Sequence, residues 1–309
     1  MKFLRYLLPA TLSLLIATNV GSQDLNLDLK GKAKGKISSF KDAKIHAYTQ
    51  QFTDSINSFI KNNFENNKYL DFSIDTQEYL KPTFSIMSVN EIKKLDNGTI
   101  FNQTSINTHD GDETINIGFG TRKLLNDNTI IFGANAFYDH QLTESHERVG
   151  LGVEAITSDF DLRYNHYNAM SGRRTNAEGT IERALDGWDL RGDYHLPIDH
   201  DVNIFLSAFE FENSESISAY KETGNKFGVD AKVGNFAIEA GYMDDNQEND
   251  AYFGNVKYVV NFGSDNQDHS SSNSKSLTDV SDRLYEPVKR ENKIRVVKID
   301  ASGVVVGGF

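Results

Sequence analysis

Between Ile130 and Glu154 the chain alternates apolar and polar residues one by one. Ile130, Phe132, Ala134, Ala136 and Tyr138 fall on one face, and Gly133, Asn135, Phe137 and Asp139 on the other. After the polar break QLTESHE, Val149, Leu151, Val153 and Ala155 alternate against Arg148, Gly150, Gly152 and Glu154. Successive side chains of a strand point to opposite faces, so the stretch reads as two strands with one greasy and one polar face. A greasy wall around a polar interior is the pattern of a membrane β-barrel.

The same period runs from about Lys68 to Gly263 and predicts twelve strands, at 68–76, 82–92, 98–107, 113–123, 129–139, 147–156, 160–168, 187–197, 202–212, 226–233, 236–244 and 252–262. The eighth is the cleanest, setting Trp188, Leu190, Tyr194 and Leu196 against Asp189, Arg191, Asp193 and His195; the second and third alternate weakly. Connections after odd-numbered strands, such as HQLTESH and AMSGRRTNAEGTIERALD, are long, whereas LNDN, TSD, IDHD and GN after even ones are short. Outer-membrane barrels have short periplasmic turns and long outer loops, so odd strands climb outward from a periplasmic N-terminus. The expected fold is all-β, a twelve-stranded antiparallel transmembrane β-barrel with a short N-terminal helix and a C-terminal linker tail.

The flanks read differently. Residues 1–22 have the form of a signal peptide: Lys2 and Arg5, an apolar stretch from Leu7 to Ile16, then Gly21 and Ser22 near a cleavage point. Residues 23–67 are read as a periplasmic linker, with Lys30, Lys32, Lys34 and Lys36, and an amphipathic helix. That helix is marked by Ile45, Tyr48, Phe52, Ile56, Phe59, Ile60 and Phe64 at three- and four-residue steps. Residues 264–309 form the tail. It opens on SDNQDHSSSNSKS, of linker composition, then predicts a short helix over Leu277–Arg290 capped by Thr278 or Ser276, and an extended Lys293–Ile299. Tyr258, Val260 and Phe262 alternate at the end of the last strand, where a terminal aromatic would serve as the assembly signal.

Composition narrows the function. There is no Cys, so thiolate zinc sites and thiol nucleophiles are excluded. No run of about 18 apolar residues follows the N-terminal segment, which disfavours a helical span. A mean hydropathy of −0.49 is compatible with a barrel, because lumen and loops dilute the lipid-facing band. A net charge of −12 argues against nucleic acid as a partner. No cofactor signature is present. Export together with barrel alternation points to the outer membrane of a Gram-negative-type bacterium.

The segment GANAFYDHQLTESHERVGLGVEA, preceded by NIGFGTRKL and followed by GWDLRGDYHLP and LYEPVKRENKIRVVK, resembles the inverse autotransporters, the intimin and invasin group. The resemblance covers roughly Tyr69–Lys298. It implies a twelve-stranded barrel whose following segment turns back through the pore towards a surface passenger. Only eleven residues follow Lys298 and little room precedes Lys68, so it implies barrel and linker rather than adhesive passenger or peptidoglycan module. The function it implies is a translocator of type V secretion, exporting or displaying its own short C-terminal tail and related to cell-adhesion proteins. Implied partners are outer-membrane lipid, periplasmic chaperones and the barrel-insertion machinery, with the barrel a monomer. A small channel or porin, and a surface adhesin acting through the loops at 169–186 and 213–225, are the alternatives.

The predicted lumen set is Asn135, Phe137, Asp139, Arg148, Gly150, Gly152, Glu154, Asp189, Arg191 and Asp193, joined by Arg122, Asp161, Arg163, Asp230, Lys232, Glu239 and Lys257. Both signs are present, as expected of a lattice of ion pairs holding the wall and a threaded tail. An enzyme is not expected. Asp139 with His140 or His146 is the nearest acid–base pair, and neighbours on one strand point oppositely. Arg191-Gly192-Asp193 lies mid-strand, and Asp110, Asp112 and Glu113 read as a solvated acidic turn rather than a calcium loop. Trp188, Tyr138, Tyr164, Tyr194 and Tyr258 read as interfacial girdle residues.

Overall fold

The structure is a computed structural model that describes residues 67–78, 80–109, 112–176, 179–198, 200–213, 219–247, 250–262, 277–299 and 305–308. The expected signal segment, linker and N-terminal helix lie outside these residues, as does Asp110. The strands are β1 (Asn67–Gln77), β2 (Thr83–Leu95), β3 (Gly98–His109), β4 (Asp112–Leu125), β5 (Ile130–Gln141), β6 (Glu147–Thr157), β7 (Phe160–Ala169), β8 (Arg174–Thr175), β9 (Ile181–Ala184), β10 (Asp186–His195), β11 (Asp201–Asn213), β12 (Tyr220–Val233), β13 (Phe236–Asp245), β14 (Ala251–Asn261), β15 (Val296–Ile299) and β16 (Val305–Gly308). Among the described residues, twelve of them close a barrel in the order β1-β14-β13-β12-β11-β10-β7-β6-β5-β4-β3-β2. The seam is antiparallel and runs from Tyr69 opposite Asn261 to Gln77 opposite Phe253. In lipid an unpaired strand edge has no water to bond, so the sheet closes on itself.

The barrel is inside-out. On the outward face Leu151 and Phe119 are each 57% accessible, while inward Arg122, Asp139 and Arg148 are 0% accessible. The hairpin that opens the pattern keeps strict register, Ala136 opposite Leu151 and Asp139 opposite Arg148. The short turn between β4 and β5 places Asn126, Asp127 and Asn128 at φ of 50, 53 and 66. Short polar side chains tolerate that left-handed backbone best.

Three expectations change. The tail carries one turn of 3-10 helix, Ser281–Tyr285, with Val280 at its N-cap position and no side-chain cap, in place of a helix over Leu277–Arg290. Pro287 has no N–H and disfavours helical backbone before it, so the helix cannot run through. The connection after β7 is not plain loop: β8 and β9 join β15 and β16 in a four-stranded sheet, ordered β16-β15-β9-β8. β12 begins at Tyr220 rather than Lys226, because its pairing with β11 continues to Asn213 opposite Tyr220. Placing a charge mid-wall on the lipid face by Leu151→Arg is expected to cost about 2–4 kcal/mol. Denaturant unfolding of the barrel in lipid vesicles would measure it.

Candidate functional site

The chain's own tail, residues 277–299, runs through the lumen and climbs from the short turns to the long loops. At the foot, the Thr278 N–H donates to Ser158 Oγ (3.2 Å) and the Val280 N–H to the Asn128 carbonyl (2.9 Å). Both acceptors sit in turns after even-numbered barrel strands. At the top, β15 pairs with β9 in the outer connection, Val296 opposite Ala184 through Ile299 opposite Ile181.

An extended segment with no partner strand must satisfy its backbone elsewhere. Here the wall's side chains do so. Arg122 Nη1 donates to the carbonyls of Leu284 (2.9 Å) and Glu286 (2.5 Å). The Gln103 amide accepts the Val288 N–H (2.7 Å) and donates to its carbonyl (3.3 Å). Asn165 donates to the Lys289 carbonyl (3.0 Å), Arg148 to that of Glu291 (2.7 Å) and Asn116 to that of Asn292 (2.9 Å). The Tyr167 hydroxyl accepts the Glu291 N–H (2.8 Å).

Charges pair in tiers along the same path. Lowest, Arg283 donates to Asp161 (2.7 Å) and Glu286 (2.7 Å), beside Arg122 on Glu154 (2.7 Å). Next, Asp193 receives Arg163 (3.0 Å), Arg191 (2.8 Å) and the tail's Lys289 (3.1 Å), which also reaches Asp230 (3.1 Å). Above them Asp139 receives Arg148 (2.8 Å) and both terminal nitrogens of Arg290 (2.8 and 2.6 Å). Highest, Arg295 pairs with Glu222 and, at 3.3 Å, with Glu291.

The predicted lumen residues fall as follows. Asp139, Arg148, Glu154 and Asp193 are buried at 0–3% accessibility, and Phe137 lies under the Arg290 guanidinium at 4.2 Å. Asp189 accepts from Asn165 (2.8 Å) and Tyr167 (2.5 Å). Arg191 pairs with Asp193 and Glu239 (2.8 Å each) over the Phe205 ring, so the Arg and Asp of its Arg-Gly-Asp run face the lumen. A Cβ on Gly150 would stand 3.0 Å from Arg290, and one on Gly152 would stand 2.5 Å from the Asn135 and Asn165 amides. Gly150 therefore makes room for the tail's Arg290, and Gly152 for the wall amides. Lys232, by contrast, is exposed near the end of its strand. Tyr258 and Val260 lie in β14 on the face opposite Lys257 and are buried, and Phe262 follows the end of the strand. Tyr258 meets Phe236 edge-on at 5.3 Å, and the Phe262 N–H donates to the Lys68 carbonyl (2.9 Å).

The acid–base candidates part company. Asp139 is held by two arginines, and His140 lies 3.8 Å from Glu147 on the other face. His146 instead joins the outer sheet, between Ser171 Oγ (3.2 Å) and Glu182 (3.6 Å). Burial acts to raise the Glu182 carboxyl, but His146, Asn176 and Lys298 outweigh it and hold it below its ordinary value. The partners that sequence reasoning missed are the tail's Arg283, Glu286, Lys289, Arg290, Glu291 and Arg295. Their one signal was the dense mixed charge of EPVKRENKIR, which holds all of them but Arg283.

The inverse autotransporter β-domain model matches residues 16–292. The chain belongs to the inverse autotransporter β-domain family. Among curated proteins this family member is 37% identical over 100 residues to a putative attaching and effacing protein homolog of Escherichia coli K12, covering 32% of this chain and 34% of that one. It is 28% identical over 186 residues to intimin of Citrobacter freundii, covering 59% of this chain and 18% of intimin. The chain thus spans about a third or less of the length of these relatives. A solved structure titled for the in-meso crystallisation of membrane proteins shares the fold, with a TM-score of 0.64 at 18% identity over 74% of this chain and 99% of that one. The inverse autotransporter barrel is an outer-membrane protein surrounded by lipid. Replacing Asp139 by Ala would leave Arg148 and Arg290 buried without their shared partner. The expected loss is about 3–5 kcal/mol, read as a lower temperature for loss of the folded, heat-modifiable band on electrophoresis.

Proposed function

We propose that this barrel is the translocator for its own C-terminal segment. It delivers that segment to the cell surface and then keeps it threaded, with the lumen closed around it. The observation that carries the reading is the continuous path of residues 277–299 from the short-turn end of the barrel to the outer sheet. Backbone and charge are satisfied tier by tier along that path. An open channel would hold water where Arg290 and Lys289 bond the wall, so the porin alternative is less well supported. Kinship with intimin and the attaching and effacing homolog supports a surface role of the adhesive kind for whatever the tail presents.

Assembly follows from the same reading. Periplasmic chaperones carry the unfolded chain, and the insertion machinery reads the terminal strand through Tyr258, Val260 and Phe262. The barrel works as a monomer, its seam closed by β1 and β14.

A single cysteine introduced by Val305→Cys is expected to react with a membrane-impermeant maleimide in intact cells. Labelling only after lysis would overturn export. In planar bilayers, removing residues 277–309 is expected to raise single-channel conductance well above that of the full chain. Equal conductance would mean that the tail does not close the lumen.

A further inference from the structure

The outer sheet is built from two sources. β9 pairs with β8 on one side through two residue pairs, Arg174–Glu182 and Thr175–Ile181, and with β15 on the other through four. The ladder continues downward, because the Leu185 N–H donates to the Arg295 carbonyl (2.9 Å), directly above the Arg295–Glu222 ion pair. The tail therefore passes from the charged lumen into main-chain pairing without a gap.

The hairpin is fixed to the barrel rim by contacts that do not involve the tail. His146, from the connection between β5 and β6, sits fully buried between Ser171 Oγ (3.2 Å) and Glu182 (3.6 Å). Ser171 also accepts the Glu147 N–H (3.2 Å), and Asn176 donates to Glu182 (2.9 Å). The Met170 N–H donates to the Glu147 carbonyl (2.8 Å). These bonds hold the β9 edge over the mouth.

Side chains match as well as backbones. Tyr167, Phe209, Phe211 and Met243 from the upper wall and Leu185 beside β9 form an apolar cluster, and the tail completes it with Val297 and Ile299, each 0% accessible. Between them, exposed Lys298 reaches the buried Glu182 at 3.9 Å. Main-chain bonds give such strand addition its affinity, and alternate side chains give it selectivity.

We propose that the β8–β9 hairpin is a capture strand. It adds the emerging tail to its edge, accepts a segment that alternates branched apolar residues with a basic one, and prevents that segment from sliding back into the lumen. This rests on the export reading, and the test separates the two. In the full chain carrying Val305→Cys, residues 173–183 are replaced by a Gly-Ser linker of equal length; in a second variant Val297→Asp alters the tail alone. Heat-modifiable migration reads barrel folding, and impermeant maleimide reads surface exposure.

With capture, both variants keep the folded band and lose surface labelling by about fivefold or more, because the tail's outward position is no longer held by strand addition. Full labelling of both overturns capture and leaves export standing. If the linker replacement does not give a folded band, Val297→Asp decides by the same readout. Absence of surface labelling in the parent Val305→Cys chain overturns the export reading, and capture with it.

Discussion

A polar group removed from water must find a partner, and in this protein that requirement acts twice. Lipid offers nothing to a strand's N–H and C=O groups, so the sheet closes through β1 and β14. Closure then encloses Arg122, Asp139, Arg148, Arg163 and Asp193, which need partners of their own. The tail supplies part of them, and the wall in turn supplies the tail with the hydrogen bonds that a neighbouring strand would give. Wall and tail are two halves of one polar core.

Aromatic rings on the lumen side complete that core. Phe101 faces Arg122 at 4.8 Å, Tyr167 faces Arg148 at 4.3 Å and Phe137 faces Arg290 at 4.2 Å. A guanidinium stacked on a ring keeps its edge free for carboxylates and carbonyls while its face is shielded. This explains why Phe137 lies on the polar face and why Gly118 sits beneath it, since a Cβ there would stand 2.2 Å from the ring.

Much of this was legible in the alternation of the chain. β4 to β7 and β10 set their faces cleanly because greasy residues meet lipid and charged ones meet the lumen. β2 and β3 blur because the outward side carries Ser88, Asn90, Asn102 and Thr104, bonded to one another and to the Gly118 carbonyl. β11 reverses near its outer end, with Phe209 and Phe211 inward and Glu210 and Glu212 outward beside Lys221. Tail partners were not legible, because a period-two pattern says which face a residue takes and nothing about what fills the space opposite. Pro287 alone was enough to forbid a tail helix running through to Arg290.

The antiparallel join of β9 and β15 has a mechanical meaning. An outward pull on the Ile299 end of β15 is directed along the strands, so the four residue pairs from Val296–Ala184 to Ile299–Ile181 share the load together rather than peeling one at a time. Below that join the carboxylates of Glu222, Asp139, Asp193 and Asp161 form successive rungs, each gripping a different cation of the tail. Load along the tail is thus divided between main-chain pairing at the mouth and ion pairs spaced down the lumen.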